Sequence, residues 1–121
     1  MAKRILIVED AEDISSTMKD LLETEGYEVS GVANGLEALR HLESTMALAN
    51  LILLDLMMPQ MDGYTFRAEQ KKRRRLANIP VLVMTAAADP QAKAKELGAQ
   101  GILTKPFRDI VTILDSIETF F

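Results

Sequence analysis

The chain has 121 residues with 14 basic and 18 acidic side chains, a formal net charge of −4, and a hydrophobic fraction of 48%. This composition is typical of a globular domain and excludes a disordered chain, and the acidic balance does not support general polyanion binding. The chain contains no cysteine, which excludes a disulfide framework, a thiolate zinc site and a thiol nucleophile.

No segment approaches the roughly 20 apolar residues that a membrane-spanning helix needs. The first apolar run, Ile5–Val8, is too short for a signal peptide, and Glu9 and Asp10 end it at once. The sequence therefore predicts a cytoplasmic protein with no membrane partner.

Short apolar runs alternate along the chain with segments of helical length. β-branched residues within the runs, and acidic or turn residues at their ends, favour strands. The predicted strands are Ile5–Val8, Val29–Val32, Leu51–Leu54, Val81–Met84 and Gly101–Thr104.

The segments between the strands carry apolar residues at three- and four-residue steps, which is typical of helices packed on one face. Gly26 favours a helix end, and Asn34 with Glu37 resembles a capping box. Asp89 and Pro90 are typical of a helix start. The predicted helices carry Ile14–Leu22 and Leu36–Leu42, span about Asp62–Arg74, lie between Pro90 and Gly98, and carry Ile110–Ile117.

Five strand–helix repeats in succession predict an α/β fold with a doubly wound, five-stranded parallel sheet. Parallel strands need crossover connections, and because these are right-handed the helices cover both faces of the sheet. Continuously apolar strands such as Leu51–Leu54 agree with burial on both faces. We expect one domain over residues 1–121, since no repeat or linker interrupts the pattern.

Polar residues follow the apolar runs at the sheet edge where parallel strands bind ligands. Glu9 and Asp10 follow the first run, Asp55 the third, Thr85 the fourth and Lys105 the fifth. Taken singly, each has an ordinary explanation as a turn, cap or solvated residue. The convergence of all five on one edge has no such explanation.

Three carboxylates in one place repel one another unless a cation lies among them. Mg²⁺ suits this set, because it binds few protein carboxylates and keeps waters that phosphoryl oxygens can replace. Lys105 and Thr85 would add a positive charge and a hydroxyl donor for a phosphoryl group.

These residues form a pattern that resembles the receiver domain of two-component response regulators. The pattern covers essentially the whole chain in order, and the set is specific although each piece is weak. It implies a CheY-like, (βα)5 flavodoxin-like fold with strand order 2-1-3-4-5. The matching segments are Ile5–Asp10, Leu53–Gly63, Val83–Ala86 and Gly98–Phe107.

The resemblance also implies the chemistry. Asp55 would accept a phosphoryl group from a histidine kinase, a histidine phosphotransfer protein or a small acyl phosphate. The protein would be a signalling switch rather than an enzyme, catalysing only its own phosphorylation and dephosphorylation. The implied catalytic residues are Asp55, Thr85 and Lys105, and the implied Mg²⁺ ligands are Glu9 (assisting), Asp10, Asp55 and the backbone carbonyl of Met57.

Ile102 departs from the pattern, because the family most often has an aromatic residue there that swings inward on activation. It is either an ordinary aliphatic residue at a strand end or a sign that coupling from Thr85 to the surface is weaker. The alternative function is a receiver-like scaffold that binds partners independently of phosphorylation. Met57 disfavours a dehalogenase-type phosphatase, which has a second acid at that place.

The downstream protein partner is not identified by the sequence, and a self-dimer through the last helices is one option. The basic run Lys71–Arg75 is interpreted as a solvated helix end, with partner docking as the alternative. It lacks interleaved aromatic residues, so we predict no direct nucleic-acid binding. Phe120 and Phe121 complete a core, continue into a longer protein, or belong to a self-association face on the last helix, and we favour the first.

Overall fold

The structure, a computed structural model, describes residues 3–56, 61–86, 89–105 and 109–121. Over these residues, strands and helices alternate along the chain as the sequence predicts. The strands are β1 (Arg4–Val8), β2 (Glu28–Val32), β3 (Leu51–Asp55), β4 (Val81–Thr85) and β5 (Gly101–Thr104). The helices are α1 (Glu12–Thr24), α2 (Gly35–Ser44), α3 (Gly63–Lys72), α4 (Pro90–Leu97) and α5 (Ile110–Glu118).

The five strands form one parallel sheet in the order β2-β1-β3-β4-β5. This confirms the doubly wound α/β fold and the strand order. β3 and β4 extend one residue further than predicted, so Asp55 and Thr85 are the last residues of their strands.

Helices cover both faces of the sheet, which explains why its central strands are apolar throughout. On one face of the sheet, Leu6 and Val8 of β1 pack against residues of α2 and α3. On the other face, Ile5 and Ile7 pack against residues of α1 and α5. Alternate strand residues point to opposite faces, so each central strand supplies both layers of the core. A fully buried aliphatic side chain of this kind contributes roughly 1.5–3 kcal/mol.

Side chains at the predicted boundaries begin the helices. Asn34 accepts a hydrogen bond from the Glu37 amide at 2.9 Å, and Asp62 accepts one from the Thr65 amide at 2.9 Å. These bonds satisfy amides that have no partner within the first turn of a helix. Gly98, at φ 65°, ends α4 in the left-handed conformation that favours glycine.

Helix α3 ends at Lys72, two residues before the predicted Arg74. The buried Gln70 side chain explains the difference. Its Nε2 donates hydrogen bonds to the Leu76 and Ile79 carbonyl oxygens, both at 3.0 Å. These bonds fix the connection to β4 against α3, so the chain leaves the helix early.

The last two residues of the chain, Phe120 and Phe121, pack against other parts of the domain. Phe120 packs against the core layer that α1 and α5 cover. The Phe121 ring lies 5.4 Å from the Tyr27 ring, between centroids. Phe120 thus contributes to a core, which is the interpretation favoured from the sequence. In the described ranges, no helix has both the length and the apolar character needed to cross a membrane.

Candidate phosphorylation and metal site

The candidate site lies where the chain changes direction across the sheet. From β1 the chain forms β2 on one side and β3 on the other, so a crevice opens at the carboxyl ends of β1 and β3. Val8 and Leu54 are register partners, and Glu9 and Asp55 follow them directly. The fold therefore places carboxylates from two neighbouring strands side by side.

Three carboxylates meet in this crevice. Carboxylate oxygens of Glu9, Asp10 and Asp55 all lie within 4.8 Å of one another. Glu9 and Asp55 are buried, with 3% and 5% of their surface exposed, whereas Asp10 is exposed. Burying like charges together is unfavourable unless a cation compensates them.

Lys105 supplies part of that compensation. Its Nζ lies 2.8 Å from Glu9 Oε2, to which it donates a hydrogen bond, and 3.6 Å from Asp55 Oδ2. The Lys105 backbone amide donates to the Thr85 carbonyl oxygen at 2.8 Å, which anchors the lysine beside the end of β4. One ammonium thus lies between the two buried carboxylates.

The charges in the crevice leave an excess of negative charge. Three carboxylates and one ammonium sum to two formal negative charges when all four groups are ionised. Clustered carboxylate oxygens with one solvent-facing member are the donors that hard divalent cations prefer. The residues present therefore fit Mg²⁺, with Asp10 on the side that water reaches.

Thr85 lies at the end of the strand next to Asp55. It ends β4, directly after Met84, the register partner of Asp55, and only 2% of its surface is exposed. The structure brings four of the predicted site residues close together: Glu9, Asp10, Asp55 and Lys105. Thr85 ends the adjacent strand. Met57 lies outside the described residues.

A groove of about 480 Å³ lies on the α1 and β2 side of the cluster, and Asp55 is not among the residues that line it. Glu9 and Asp10 line it together with Glu12 of α1 and Glu37 of α2.

One contact of the site was not predicted from the sequence. The Ala11 amide donates to Glu9 Oε1 at 3.3 Å, while Lys105 binds the other oxygen of the same carboxylate. An acidic residue two positions before a helix cap is the signal that would have indicated it.

Ile102 lies in β5 opposite Val83 and is half-buried against the core layer that α2 and α3 cover. It therefore packs as an ordinary core aliphatic in this conformation. The consequence for coupling between Thr85 and the surface remains a prediction.

Four of the five residues of the basic run Lys71–Arg75 are exposed, as a solvated helix end requires, but two of its arginines also make contacts to other elements. Arg73 forms ion pairs with Glu43 of α2 at 2.9 Å and Glu69 of α3 at 3.0 Å. Arg75 donates hydrogen bonds to the carbonyl oxygens of Leu42 and Thr45 at the end of α2. These two arginines connect α2 to the end of α3 and to the turn that follows it.

The model of the response regulator receiver domain family matches residues 5–118. The chain belongs to this family, and it is a receiver domain of two-component systems. Such domains act as signalling switches.

Individual relatives carry the domain in different settings. A transcriptional regulatory protein CpxR homolog of Haemophilus influenzae is 37% identical over 88% of this chain and 45% of its own length. The Vibrio cholerae chemotaxis protein CheY4 has 29% sequence identity to this chain over the whole of both chains. Its crystallised structure superposes on the present one with a TM-score of 0.89.

A third relative is the receiver domain of the sensor histidine kinase PA1611 of Pseudomonas aeruginosa. Its structure has a magnesium ion coordinated in the active site cleft. It is 26% identical over 99% of this chain and 98% of that one, with a TM-score of 0.86. The present chain spans about half the length of the curated relatives it matches.

Proposed function

We propose that Asp55 accepts a phosphoryl group in an Mg²⁺-dependent reaction and that the modified domain changes its binding to a protein partner. The observation that carries the proposal is the cluster of Glu9, Asp10 and Asp55 within 4.8 Å, with Lys105 beside it. A structural role alone does not require three carboxylates to converge at a solvent-accessible crevice.

Glu9, Asp10 and Asp55 would hold the ion, with the backbone carbonyl of Met57 as a further ligand. When bound, Mg²⁺ offsets the repulsion between the attacking carboxylate and the phosphoryl oxygens. The magnesium ion in the active site cleft of the related PA1611 receiver domain supports this assignment.

In the reaction, a carboxylate oxygen of Asp55 attacks the phosphorus in line with the leaving group. A new P–O bond forms, and the bond from phosphorus to the histidine nitrogen or acyl oxygen of the donor breaks. Lys105, already 3.6 Å from Asp55, would contact the transferred phosphoryl oxygens. The Thr85 hydroxyl would donate to the same group. Hydrolysis by water would later restore the free carboxylate.

The donor would be a histidine kinase or a histidine phosphotransfer protein, with small acyl phosphates as substitutes. We propose a single receiver domain over residues 1–121, acting in the cytoplasm. The downstream partner is a protein whose identity the site does not specify. Because a related protein is a transcriptional regulatory protein, control of transcription within a longer protein is one candidate for the output.

The proposal can be tested by two-dimensional NMR with Mg²⁺ and beryllofluoride, which mimics a phosphoryl group on a carboxylate. The wild-type protein should show a saturable change at amides around Asp10, Asp55 and Thr85. Asp55→Asn should abolish this change, whereas Asp20→Asn on the exposed side of α1 should retain it. No Asp55-dependent change in the folded wild-type protein would refute the proposal.

A further inference from the structure

Two close backbone contacts, one at Leu56 and one at Met61, lie on either side of residues 57–60, and both involve glycine. At the first, the Gly63 amide donates to the Leu56 carbonyl oxygen at 3.1 Å. A Cβ on Gly63 would lie 2.9 Å from Leu56 Cα and 3.0 Å from the Asp55 carbonyl oxygen. The start of α3 therefore lies directly against the backbone of Asp55, which only glycine permits.

The second contact comes from a different helix. Gly35, the first residue of α2, donates its amide hydrogen to the Met61 carbonyl oxygen at 3.2 Å. The first amides of a helix have no partner within the helix, so this carbonyl satisfies one of them. A Cβ on Gly35 would lie 2.6 Å from the same oxygen and 2.9 Å from Met61 Cγ, so a larger residue cannot keep the contact.

Met61 adopts an uncommon backbone conformation to make this contact. Its φ is 72°, and among the described non-glycine residues it alone has a positive φ. Such a conformation is unfavourable for a methionine and persists only where the surrounding structure enforces it. Here the Gly35 amide and the packing of the half-buried Met61 side chain against the core layer of α2 and α3 enforce it.

We infer that the Gly35–Met61 contact is a positioning contact for cation binding at Glu9, Asp10 and Asp55. Together with the Gly63–Leu56 bond it fixes Leu56 and Met61, the described residues on either side of positions 57–60. It thereby holds the Asp55 backbone, and with it the direction of the carboxylate, relative to β1. This inference rests on the proposed function, because it concerns Mg²⁺ binding at the same carboxylates.

The test is an Mg²⁺ titration of the full chain, followed by the amide shifts of Asp10 and Ala11, for wild type and Gly35→Ala. Contacts that support metal ligands typically change metal affinity by about 10–100-fold when they are lost. We expect Gly35→Ala to weaken Mg²⁺ binding at least about tenfold. Gly31→Ala is the matched control, because its Cβ would meet only the Ser15 side-chain oxygen, at 3.1 Å.

A second pair of variants covers the case in which Gly35→Ala does not fold. Met61→Val and Met61→Asn both shorten the side chain, but asparagine tolerates positive φ and valine does not. Met61→Val should bind Mg²⁺ several-fold more weakly than Met61→Asn. A purely structural role would lower the unfolding free energy and leave the dissociation constant of the folded protein unchanged.

The outcomes separate the two proposals. Dissociation constants within twofold for wild type, Met61→Val and Met61→Asn would overturn the positioning role while leaving the proposed function intact. Failure of the wild-type protein to bind Mg²⁺ at these carboxylates would instead overturn the proposed function.

Discussion

Lys105 donates a hydrogen bond to Glu9 across 96 residues of sequence, with a distance of 2.8 Å between Nζ and Oε2. The Glu9 side chain is 1% exposed and the Lys105 side chain 18% exposed, so this ion pair is shielded from solvent. Because the same ammonium also lies 3.6 Å from Asp55, it compensates two buried carboxylates at once. The stability of the protein and its binding of Mg²⁺ should consequently be linked.

Lys105→Met should lower the unfolding free energy by roughly 1–3 kcal/mol in the absence of Mg²⁺, because it leaves buried carboxylates without their cation. Saturating Mg²⁺ should recover part of that loss by supplying positive charge in the same place. Urea unfolding with and without Mg²⁺ measures both values. Lys72→Met, which removes an exposed ion pair with Glu69, should cost within about 0.5 kcal/mol. An identical loss with and without Mg²⁺ would contradict this linkage.

Asp10→Asn should have the opposite effect on the metal-free protein. Removing the exposed carboxylate relieves repulsion with Glu9 and Asp55, so the unfolding free energy should rise by up to about 1 kcal/mol. Mg²⁺ affinity should fall at least about tenfold, since the substitution removes one of the carboxylates proposed to hold the ion. Calorimetric titration gives the affinity and urea unfolding the stability. A destabilised metal-free variant would argue against repulsion in this cluster.

Arg67 should be more important for stability than its residue type suggests. Only 4% of its surface is exposed, and its guanidinium donates to the Leu97 and Gly98 carbonyl oxygens at the end of α4 and to Gln70 Oε1. Burial lowers the pKa of Arg67.

Arg67→Met should lower the unfolding free energy by about 3 kcal/mol, because these buried acceptors lose their donors. Hydrogen exchange should show the largest increase at the last turn of α4. The matched control is Arg74→Met, which alters an exposed arginine and should change stability by about 0.5 kcal/mol or less. Equal effects of the two substitutions would show that the contacts to α4 contribute little.

Glu69 should make stability depend on pH in the acidic range. Hydrogen bonds from Arg73 and then Lys72 lower the pKa of Glu69 below its ordinary value of 4.5. A lowered pKa in the folded state means that the stabilisation is present above pH 4.5 and is lost as the pH falls through the lowered value.

Glu69→Gln should therefore reduce the unfolding free energy above pH 4.5. The variant and the wild type should be equally stable once the pH is below the lowered pKa of Glu69. Urea unfolding over this range is the measurement. In a background that carries Lys72→Met and Arg73→Met, the same substitution should have almost no pH-dependent effect. A pH-dependent difference that persists there would assign it to other groups.

The sequence predicted the strands and the site residues because both depend on local patterns. Apolar runs mark the buried strands, and the polar residue after each run necessarily lies at the carboxyl end of a parallel sheet. Glu9, Asp55 and Lys105 could therefore be placed together without knowledge of any distance.

Arg67 could not be predicted in this way. A basic residue on a helix is typical of a solvated surface. Two of the acceptors of Arg67 are backbone carbonyls about 30 residues away, which carry no signature in the side chains. The early end of α3 could not be predicted for the same reason, because Gln70 donates to the backbone carbonyl oxygens of Leu76 and Ile79. The Gly35–Met61 contact also depends on backbone geometry, which the residue pattern does not encode.

The most direct test of the proposed function is to locate the phosphoryl group after incubation with acetyl phosphate and Mg²⁺. Borohydride reduction converts an aspartyl phosphate to a stable product, and peptide mass spectrometry then identifies the modified residue. We expect a single modified position, Asp55, with no modification without Mg²⁺ or in Asp55→Asn. Modification at another residue, or equal modification without Mg²⁺, would contradict the assignment of Asp55 as the phosphoacceptor of a magnesium-dependent switch.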